Sequence, residues 1–571
     1  MLRVLNYRGK IKRSKKMKKV AALILTFIML VSAVSGGIIT AWALTSGDFE
    51  YTVSENKATI TAYNGSAEVL SIPSTLGGYS VAEIGEGAFQ NNITLQRVTV
   101  PAGVNKIGAR AFYSCVMLRS ISLPATVSEL SEKTFANCSS LERVTAAGSL
   151  TKIYREAFNY CSSLQSLNLT SALTYIGDNA FANCYAIQIN MEKLSGDITY
   201  IGSQAFRNCY KAYGSANISA QTTVGGLAFD ACGAQAINFN SEHPKYSSEN
   251  GIIFNKDKTS LVRYPAGRAN TEYTIPSTVA QIDSYAFHRA QQLESIVIPE
   301  SVSIIGDYAF ASCLMLDNVV LPSSVDELSD YAFNSCPMLK SVSFPENLIS
   351  IGAHAFGYCD LREINLPSSL ESIGKYAFYR NYNLTEAVLP NSVTEMDSFV
   401  FEDCRALSSV TLSENLGAVA WGTFANCEAL SSIVVPEGCT EIEGAAFMGC
   451  KALESVYLPS TLEYVGRNAF SDTKLVEVYY NDAQTKWEII DINETGNRPL
   501  QSAEIHFGGW HFHSYSISGL NNDMLVFRCS CEKSYSERFS DYINVRGSLP
   551  VDLNADGIVN AKDYAILIKN Y

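Results

Sequence analysis

The sequence predicts a solenoid of the α/β class, in which short strands stack into a parallel sheet and alternate with short helical turns. One motif phenylalanine recurs sixteen times between Phe89 and Phe470, and twelve of the fifteen intervals are 23 residues. A fixed period of this size is typical of solenoids, because one unit cannot bury its apolar face without its neighbours. The chain is 47% hydrophobic and 17% charged, which excludes a mostly disordered protein.

The repeat unit has two halves with different periodicities. It reads I-G-x-x-A-F-x-x-C-x-x-L-x-x-V-x-L-P, as in residues 107–124. Phe112, Cys115 and Leu118 have helical spacing, whereas the next apolar residues alternate as in a strand. The proline ends the strand, where a ladder donor is no longer needed. We therefore predict about sixteen units of 23 residues, each a short helical turn followed by a short strand, around one continuous core.

These motifs resemble the BspA-type leucine-rich repeat proteins. The resemblance implies a right-handed leucine-rich-repeat array and a general role in surface adhesion and protein binding, without a single ligand. It also implies that the repeats are flanked by caps and followed by small C-terminal modules. The expected segments are N-terminal cap strands at 44–83, repeats at 84–240, a hairpin insertion at 241–272, repeats at 273–480 and a C-terminal cap at 481–508.

The N-terminal segment 1–43 has the pattern of a secretory signal peptide. It contains nine basic side chains and no acid, and the uncharged stretch that follows them ends in the small-x-small site Ala41-Trp42-Ala43. The alternative is an uncleaved anchor, since 24 uncharged residues can span a bilayer. Cleavage leaves 34 basic and 56 acidic residues. This excess of acid argues against nucleic acid and anionic membranes as main partners, and we expect a bacterial protein that is secreted or associated with the cell surface.

Twelve of the fifteen cysteines lie three residues after a motif phenylalanine. One cysteine per unit at one position predicts a ladder along the buried face, where thiols act as small apolar side chains. The alternative is a set of disulfides between neighbouring units. A thiol ladder in an exported protein would indicate a reducing or anaerobic habitat. The ladder residues are Cys115, Cys138, Cys161, Cys184, Cys209, Cys232, Cys313, Cys336, Cys359, Cys404, Cys427 and Cys450.

The repeats show no catalytic constellation. Exposed positions of the predicted sheet, such as Ser120, Ser122 and Thr145, are short and poor in titratable groups. A glycoside hydrolase would need a pair of carboxylates in a fixed arrangement, which the motifs do not supply. His288 and His354 flank a motif phenylalanine and are predicted to be surface residues. The sequence therefore predicts a protein that is not an enzyme.

A stripe of ring-bearing residues occupies the position two before the motif phenylalanine in five consecutive units. One interpretation is a set of ring faces that stack on sugars or a partner. The other is packing between adjacent units, and the sequence leaves both open. The stripe consists of Tyr285, Tyr308, Tyr331, His354 and Tyr376.

The period is lost in 509–546, a segment that resembles small Cys/His hairpin modules of secreted bacterial proteins. It carries the pairs His511-x-His513 and Cys529-x-Cys531. Two histidines and two cysteines have the number and chemistry of ligands that a closed tetrahedral zinc site requires. The alternative is an ordinary hairpin in which these residues are incidental.

The C-terminal segment 547–571 contains a calcium-loop pattern at 552–563. Oxygen donors occur at the required spacing around the sharp turn at Gly557. This loop and the apolar-periodic helix after it resemble one half of a type I dockerin, in which Ala561 and Lys562 would fall where a cohesin is recognised. Dockerins carry two loops and this sequence shows one, so either the second is missing by truncation or a half-module remains. The predicted ligands are Asp552, Asn554, Asp556, Ile558 through its carbonyl, Asn560 and Asp563.

Together these patterns predict a secreted, non-enzymatic binding or adhesion protein that recognises a protein or glycan surface. A calcium-dependent, dockerin-like tail would tether it to a scaffoldin through a cohesin, or to a cell surface. The alternative is an accessory, substrate-targeting subunit of a cellulosome-like complex that degrades polysaccharides. Calcium is the expected cofactor, with zinc as a second metal if the Cys/His pairs bind one, and no membrane contact is expected after signal cleavage.

Overall fold

The computed structural model describes residues 43–146, 148, 150–194 and 197–508, and the backbone of three further strands at 516–521, 524–528 and 534–538. It forms two compact units. The first runs to Thr271 and includes Thr278–Leu293, and the second consists of Glu272–Ser277 and the chain from Glu294 onward. The predicted signal peptide before Ala43, the four zinc candidates and the calcium loop lie outside the described residues.

The first unit begins with antiparallel strands and continues as coils of about one repeat each. Most coils contribute a long strand and a short, two-residue strand to separate parallel ladders. A single turn of 3-10 helix lies at Met191–Leu194. The initial strands are Leu44–Ser46, Phe49–Ser54, Lys57–Tyr63, Thr75–Leu76 and Tyr79–Ile84. The long strands are Val69–Ser71, Arg97–Thr99, Ser120–Leu123, Arg143–Ala146, Ser215–Ile218 and Ala236–Phe239. The short strands are Lys106–Ile107, Glu129–Leu130, Lys152–Ile153, Tyr175–Ile176, Tyr200–Ile201, Thr223–Val224 and Gln281–Ile282.

Three strands interrupt the coils of the first unit where the repeat interval lengthens to 58 residues. Tyr246–Glu249 pairs antiparallel with Ile252–Asn255, which pairs antiparallel with Ser260–Arg263. Ser260–Arg263 then pairs parallel with the short strand Gln281–Ile282, so the interruption rejoins the ladder.

The second unit repeats the same architecture. Its two short α-helices are Gln484–Trp487 and Arg498–Ser502. The strands Ser516–Asn521, Met524–Arg528 and Ser534–Arg538 form a separate antiparallel sheet. The long strands are Glu272–Thr274, Ser295–Val297, Asn318–Val320, Ser341–Ser343, Glu386–Val388, Ser409–Thr411, Ser432–Val434, Ser455–Leu458, Glu477–Tyr480 and Glu504–Phe507. The short strands are Ile304–Ile305, Glu327–Leu328, Ser350–Ile351, Ser372–Ile373, Glu395–Met396, Ala418–Val419, Glu441–Ile442, Tyr464–Val465 and Asp491–Ile492.

The predicted solenoid of stacked parallel strands is confirmed, but the helical half of the repeat is wrong. The segment around the motif phenylalanine consists of turns, because Arg110 and Ser114 on either side of Phe112 both have left-handed backbones, with φ of 56° and 55°. The amide of Phe112 donates to Thr134 O in the next coil at 2.9 Å. The amide of Cys115 donates to Phe112 O, three residues back, at 3.2 Å. An α-helix would instead bond every amide to the carbonyl four residues back.

The motif phenylalanines form the centre of the core. Seven of them stack in the first unit, from Phe89 to Phe229, and eight in the second, from Phe310 to Phe470. Adjacent centroids lie 4.8 Å apart at the closest pair, Phe89 and Phe112, and 5.7 Å apart at the widest pairs. Offset stacks of this kind contribute roughly 0.5–1.5 kcal/mol per pair beyond area burial.

The predicted cysteine ladder follows the same axis. All thirteen cysteines that the structure describes are free and buried, so the alternative of disulfides between neighbouring coils does not hold in this structure. The thiols of most ladder residues donate to the carbonyl of the preceding coil's motif phenylalanine, as in Cys115 Sγ to Phe89 O at 3.1 Å. The thiols are therefore small core side chains whose polar atoms are satisfied.

Candidate ligand-binding surface

Most three-residue long strands of the second unit bury the central side chain and turn the outer two outward. In Asn318–Val320 the central Val319 is 2% exposed, whereas Asn318 and Val320 on either side of it point outward. This alternation follows from the pleat of a strand, in which successive side chains lie on opposite faces. The outward positions of these strands therefore form surfaces whose composition is not constrained by the core.

Three valines stand out on this surface. Val297, Val320 and Val388 each occupy the last position of a long strand and are 58%, 65% and 48% exposed. We call these three residues the valine face, in which Val297 and Val320 lie in adjacent coils and Val388 lies three coils beyond Val320. Short polar side chains adjoin them, since Val320 pairs in register with Ser343 and Val388 with Thr411. The sequence predicted only short polar residues at these positions, and the three valines were not predicted.

Charged and hydrogen-bonding groups border the valine face at both ends of the strands. Glu300, which follows the strand of Val297, accepts hydrogen bonds from Ser323 N at 2.9 Å and from Ser323 Oγ at 2.6 Å. At the other end, Lys340 Nζ lies 2.6 Å from Asp317 Oδ1. These contacts join adjacent coils and hold the border in a defined arrangement.

Four of the five predicted stripe residues stack in the second unit. The ring centroids of Tyr308 and Tyr331 lie 4.4 Å apart, those of Tyr331 and His354 4.5 Å, and those of His354 and Tyr376 4.7 Å. Phe399, which the sequence analysis did not include, extends the stack at 4.8 Å. We call these five residues the aromatic ladder. Each ring faces its neighbours within the ladder, so ring edges rather than ring faces point outward, as the packing interpretation predicts.

The fifth stripe residue, Tyr285, belongs to the first unit. Its ring meets that of His288 edge-on, with centroids 5.4 Å apart, and the guanidinium of Arg207 lies 5.7 Å from its centroid. Because His288 and Arg207 both contact Asp230, Tyr285 lies beside the charged groups around that carboxylate.

The electrostatics of the aromatic ladder favour neutral rings. Burial and the charge of Lys375 lower the pKa of His354, while Asp330 opposes that change. Burial raises the pKa of Tyr376, with Glu402 contributing to the increase. His354 and Tyr376 therefore stack as uncharged rings at neutral pH.

A second stack, also missed from the sequence, lies on the long-strand surface. Tyr479 is 4.7 Å from Tyr457 and 4.7 Å from His506, measured between ring centroids. Tyr479 donates its hydroxyl hydrogen to Glu477 Oε2 at 2.7 Å, and this hydrogen bond is the main reason that the pKa of Tyr479 rises to about 12. The only sequence signal for this stack is a ring at one outward strand position in successive coils.

A groove of about 720 Å³ runs along the short strands of the second unit. Its lining includes the carboxylates of Asp330, Glu395, Asp397 and Glu443, together with Lys375, above a floor of serine, glycine and alanine. The lining contains neither histidine nor cysteine. The groove therefore brings together acceptors for a ligand but no nucleophile paired with an imidazole base.

One histidine prediction is wrong. His288 was expected at the surface, but its side chain is 13% exposed and its Nδ1 lies 2.9 Å from Oδ1 of the buried Asp230. The long repeat interval hides this contact in the sequence, because it joins residues 58 positions apart. Within the described ranges, no group of three or more His, Cys, Asp or Glu residues is arranged to hold a metal ion. No helix in the same ranges has the length and hydropathy to cross a membrane.

Comparison with known families identifies the repeat. The model of the BspA type leucine rich repeat region, described with six copies, matches residues 63–188, 141–250, 266–385 and 371–489. None of the curated proteins compared with the chain matches it.

Several solved structures are similar to the chain over most of its length. A leucine rich cell surface protein from Faecalibacterium prausnitzii A2-165 is 24% identical, with 79% of this chain and 98% of that one covered at a TM-score of 0.38. A leucine-rich repeat protein from Bacteroides ovatus is 19% identical, with 82% and 100% covered at a TM-score of 0.36. The pneumococcal vaccine antigen PcpA is 18% identical, with 82% and 99% covered at a TM-score of 0.38.

Proposed function

The chain belongs to the BspA-type leucine-rich repeat family of non-enzymatic surface proteins, and from that premise we propose that it binds its ligand through the valine face of the second unit. Family membership supports a binding or adhesion role and a protein or glycan as the general class of ligand. The remaining parts of the proposal concern the surface that is used, the route to the cell exterior and the way in which the protein is held there.

The observation that carries the proposed surface is the exposure of Val297, Val320 and Val388. Nothing in the fold requires valine at these positions, since Ser343 and Thr411 occupy the same position in neighbouring coils. Exposed apolar side chains in adjacent coils, such as Val297 and Val320, with a polar border are typical of an interaction site. Burying the exposed part of each valine would contribute roughly 1 kcal/mol to binding, on the scale for apolar side chains.

Export and tethering complete the proposed function. The pattern at 1–43 supports secretion with signal cleavage, and the free thiols support a reducing or anaerobic habitat. The loop at 552–563 would bind calcium and hold a cohesin of a scaffoldin near Ala561 and Lys562. His511, His513, Cys529 and Cys531 would hold zinc in the segment before it.

The second candidate function is an accessory subunit that targets a polysaccharide-degrading complex to its substrate. The dockerin-like composition of 552–563 favours it. Binding to plant cell-wall glycans would support this function, whereas binding to host matrix or to another bacterium would support adhesion. Turnover of any glycan would contradict both functions.

The test uses the full chain on arrays of purified extracellular proteins and of plant cell-wall glycans. The variant Val297→Ser/Val320→Ser/Val388→Ser is compared with wild type. The control variant Thr99→Ala/Ser122→Ala/Thr145→Ala changes outward long-strand positions of the first unit. We expect the valine variant to lose roughly tenfold or more in affinity for the array members that wild type binds, and the control variant to retain it. Equal binding by both variants would place the ligand elsewhere.

A further inference from the structure

We propose that the valine face binds a cationic polypeptide, in which lysine or arginine side chains lie between apolar ones. This inference rests on the proposed function and names the chemistry of the partner. It comes from the distribution of charge between the two units and from the position of that charge relative to the valines.

Net charge is divided unequally between two units of the same architecture. Residues 44–271 and 278–293 contain 18 acidic and 18 basic side chains, whereas residues 272–277 and 294–508 contain 31 acidic and 10 basic ones. Because the first unit builds the same coils with balanced charge, the fold itself does not require the excess of acid. An uncompensated charge of this size lowers stability through self-repulsion, so a role in binding is a physical reason for it.

The excess acid lies beside the valines. Glu294 and Glu300 are exposed three residues before and three residues after Val297, and the exposed Glu386 begins the strand that ends in Val388. Glu346 is exposed three residues after Ser343, which is the register partner of Val320. Carboxylates therefore border the valine face at both ends of its strands, where they outnumber the basic residues Lys340 and Arg362.

The corresponding surface of the first unit is less acidic, although Val69 is exposed there as well, at 56%. Arg97 and Arg143 begin the strands that end in or contain the outward Thr99 and Thr145, and Arg119 immediately precedes the strand of Ser122. In these coils arginines therefore adjoin hydroxyl groups, and the carboxylate of Glu142 lies 3.9 Å from Arg119.

These features select a polypeptide with positive charge. The hydroxyl groups of neutral polysaccharides can donate hydrogen bonds to the border carboxylates but carry no charge that neutralises them, and acidic polysaccharides are repelled. Lysine and arginine make charge-assisted hydrogen bonds to carboxylates, while the apolar side chains between them would cover the valines. The net negative charge of the second unit would also accelerate the encounter with a cationic partner.

The test measures binding of the full chain to a labelled synthetic peptide of alternating lysine and valine, and to its counterpart with glutamine in place of lysine. Fluorescence anisotropy is recorded at low and high salt. The variant Glu294→Gln/Glu346→Gln/Glu386→Gln removes border carboxylates. The matched control Glu327→Gln/Glu441→Gln/Glu463→Gln removes the same charge from exposed positions in or directly before short strands of the same unit.

We expect wild type to bind the lysine peptide and to lose roughly tenfold in affinity as salt screens the charges. The border variant should lose about tenfold at low salt and the matched control less than about twofold, since only the border carboxylates touch the peptide. Equal losses would show general attraction to an acidic protein and would overturn the inference. So would equal binding of the glutamine peptide or preferential binding of a neutral glycan.

The outcomes also separate this inference from the proposed function. If the valine variant loses binding while the border variant does not, the surface is correct and the cationic partner is wrong. If the valine variant binds every array member and the lysine peptide as tightly as wild type does, the surface itself is wrong.

Discussion

Tyr308 and Tyr331, which are 23 residues apart in the chain, stack with their ring centroids 4.4 Å apart and their planes 6° from parallel. Both residues have left-handed backbones, with φ of 56° and 57°. This conformation costs a residue with a side chain roughly 1–2 kcal/mol, and glycine at the equivalent Gly87 and Gly422 avoids the cost. In this part of the second unit, stacking between coils offsets a backbone that the side chains do not favour.

The aromatic ladder should therefore contribute to stability through its ring pairs. Tyr331 contacts one ring on each side, so we expect Tyr331→Ala to lower the free energy of unfolding by roughly 1–3 kcal/mol. The measurement is urea denaturation followed by circular dichroism. Tyr331→Phe retains both ring contacts and is the control, which should unfold close to wild type.

A third variant separates stacking from backbone strain. Tyr331→Gly also removes both ring contacts but tolerates the positive φ, so it should be less destabilising than Tyr331→Ala by about 1 kcal/mol. If the alanine variant unfolds at the same urea concentration as wild type, the aromatic ladder does not contribute to stability. The outward ring edges of the ladder would then become a stronger candidate for ligand contact.

The cysteine ladder should be chemically silent in the folded protein. Burial raises the pKa of Cys232 and of Cys450 to about 12 and that of Cys439 to about 11. At pH 8 a thiol with a pKa of 12 is ionised in only about one molecule in ten thousand, and the thiolate is the reactive form. Burial would likewise raise the pKa of Cys336, but hydrogen bonds with the thiols of Cys313 and Cys359 lower it instead. Because all thirteen described cysteines are buried, we expect them to resist iodoacetamide in buffer and to react in urea.

Mass spectrometry of tryptic peptides assigns each modification to a cysteine, so that Cys529 and Cys531 are scored separately from the thirteen described cysteines. Rapid modification of ladder peptides in the native protein would show that the coils open. Cysteines that remain unmodified in urea until a reductant is added would show that neighbouring coils are joined by disulfides, which would contradict a reduced ladder.

The C-terminal loop should bind calcium through its acidic residues. We expect the full chain to bind calcium in isothermal titration calorimetry and Asp552→Ala/Asp556→Ala to lose that binding, because these carboxylates supply charge to the ion. Asp523→Asn removes a carboxylate outside the loop and is the control. Absence of calcium binding by wild type, or equal binding by both variants, would remove the calcium-dependent tether from the proposed function.

The stacking of the coils could be predicted from the sequence, whereas the backbone conformation within each coil could not. The 23-residue period places Phe112 and Cys115 in the core, where the structure has them. The same residues suggested a helix because turns with hydrogen bonds to the third residue back also place apolar side chains at every third position. The left-handed residues that prevent the helix, such as Arg110 and Tyr308, are not glycines and leave no signal in composition.

The candidate site was less predictable for a related reason. Outward strand positions are free to vary, so Val320 and its register partner Ser343 follow no periodic rule. Only the structure shows that Val320 is exposed at the outward position that Ser343 occupies in the next coil. Contacts across the long repeat interval, such as Asp230 to His288, are equally hidden, because no motif spaces the two residues.

Asp230 is the centre of a buried charge cluster that joins the inserted strands to the coils of the first unit. Its fully buried carboxylate lies 3.0 Å from Arg263 at the end of the last inserted strand, 3.2 Å from Arg207 and 2.9 Å from His288. Arg263 is itself 5% exposed and also donates to the carbonyl of Tyr285. Burial alone would raise the pKa of Asp230, but the hydrogen bond to His288 and the charges of Arg263 and Arg207 more than offset it and hold the pKa below its ordinary value.

Replacing Asp230 by Asn should destabilise the first unit by roughly 3–5 kcal/mol at pH 7, because the buried Arg263 loses its counter-charge. Since the folded-state pKa of Asp230 is depressed, its ionisation stabilises the fold above about pH 4, and this contribution is lost as the pH falls through the lowered value. The gap in urea midpoint between wild type and Asp230→Asn should therefore narrow in acid. Asp257→Asn, at an exposed turn of the same insertion, is the control and should match wild type at every pH. A gap that stays constant from neutral to acidic pH would mean that the charge of Asp230 does not hold the insertion in place.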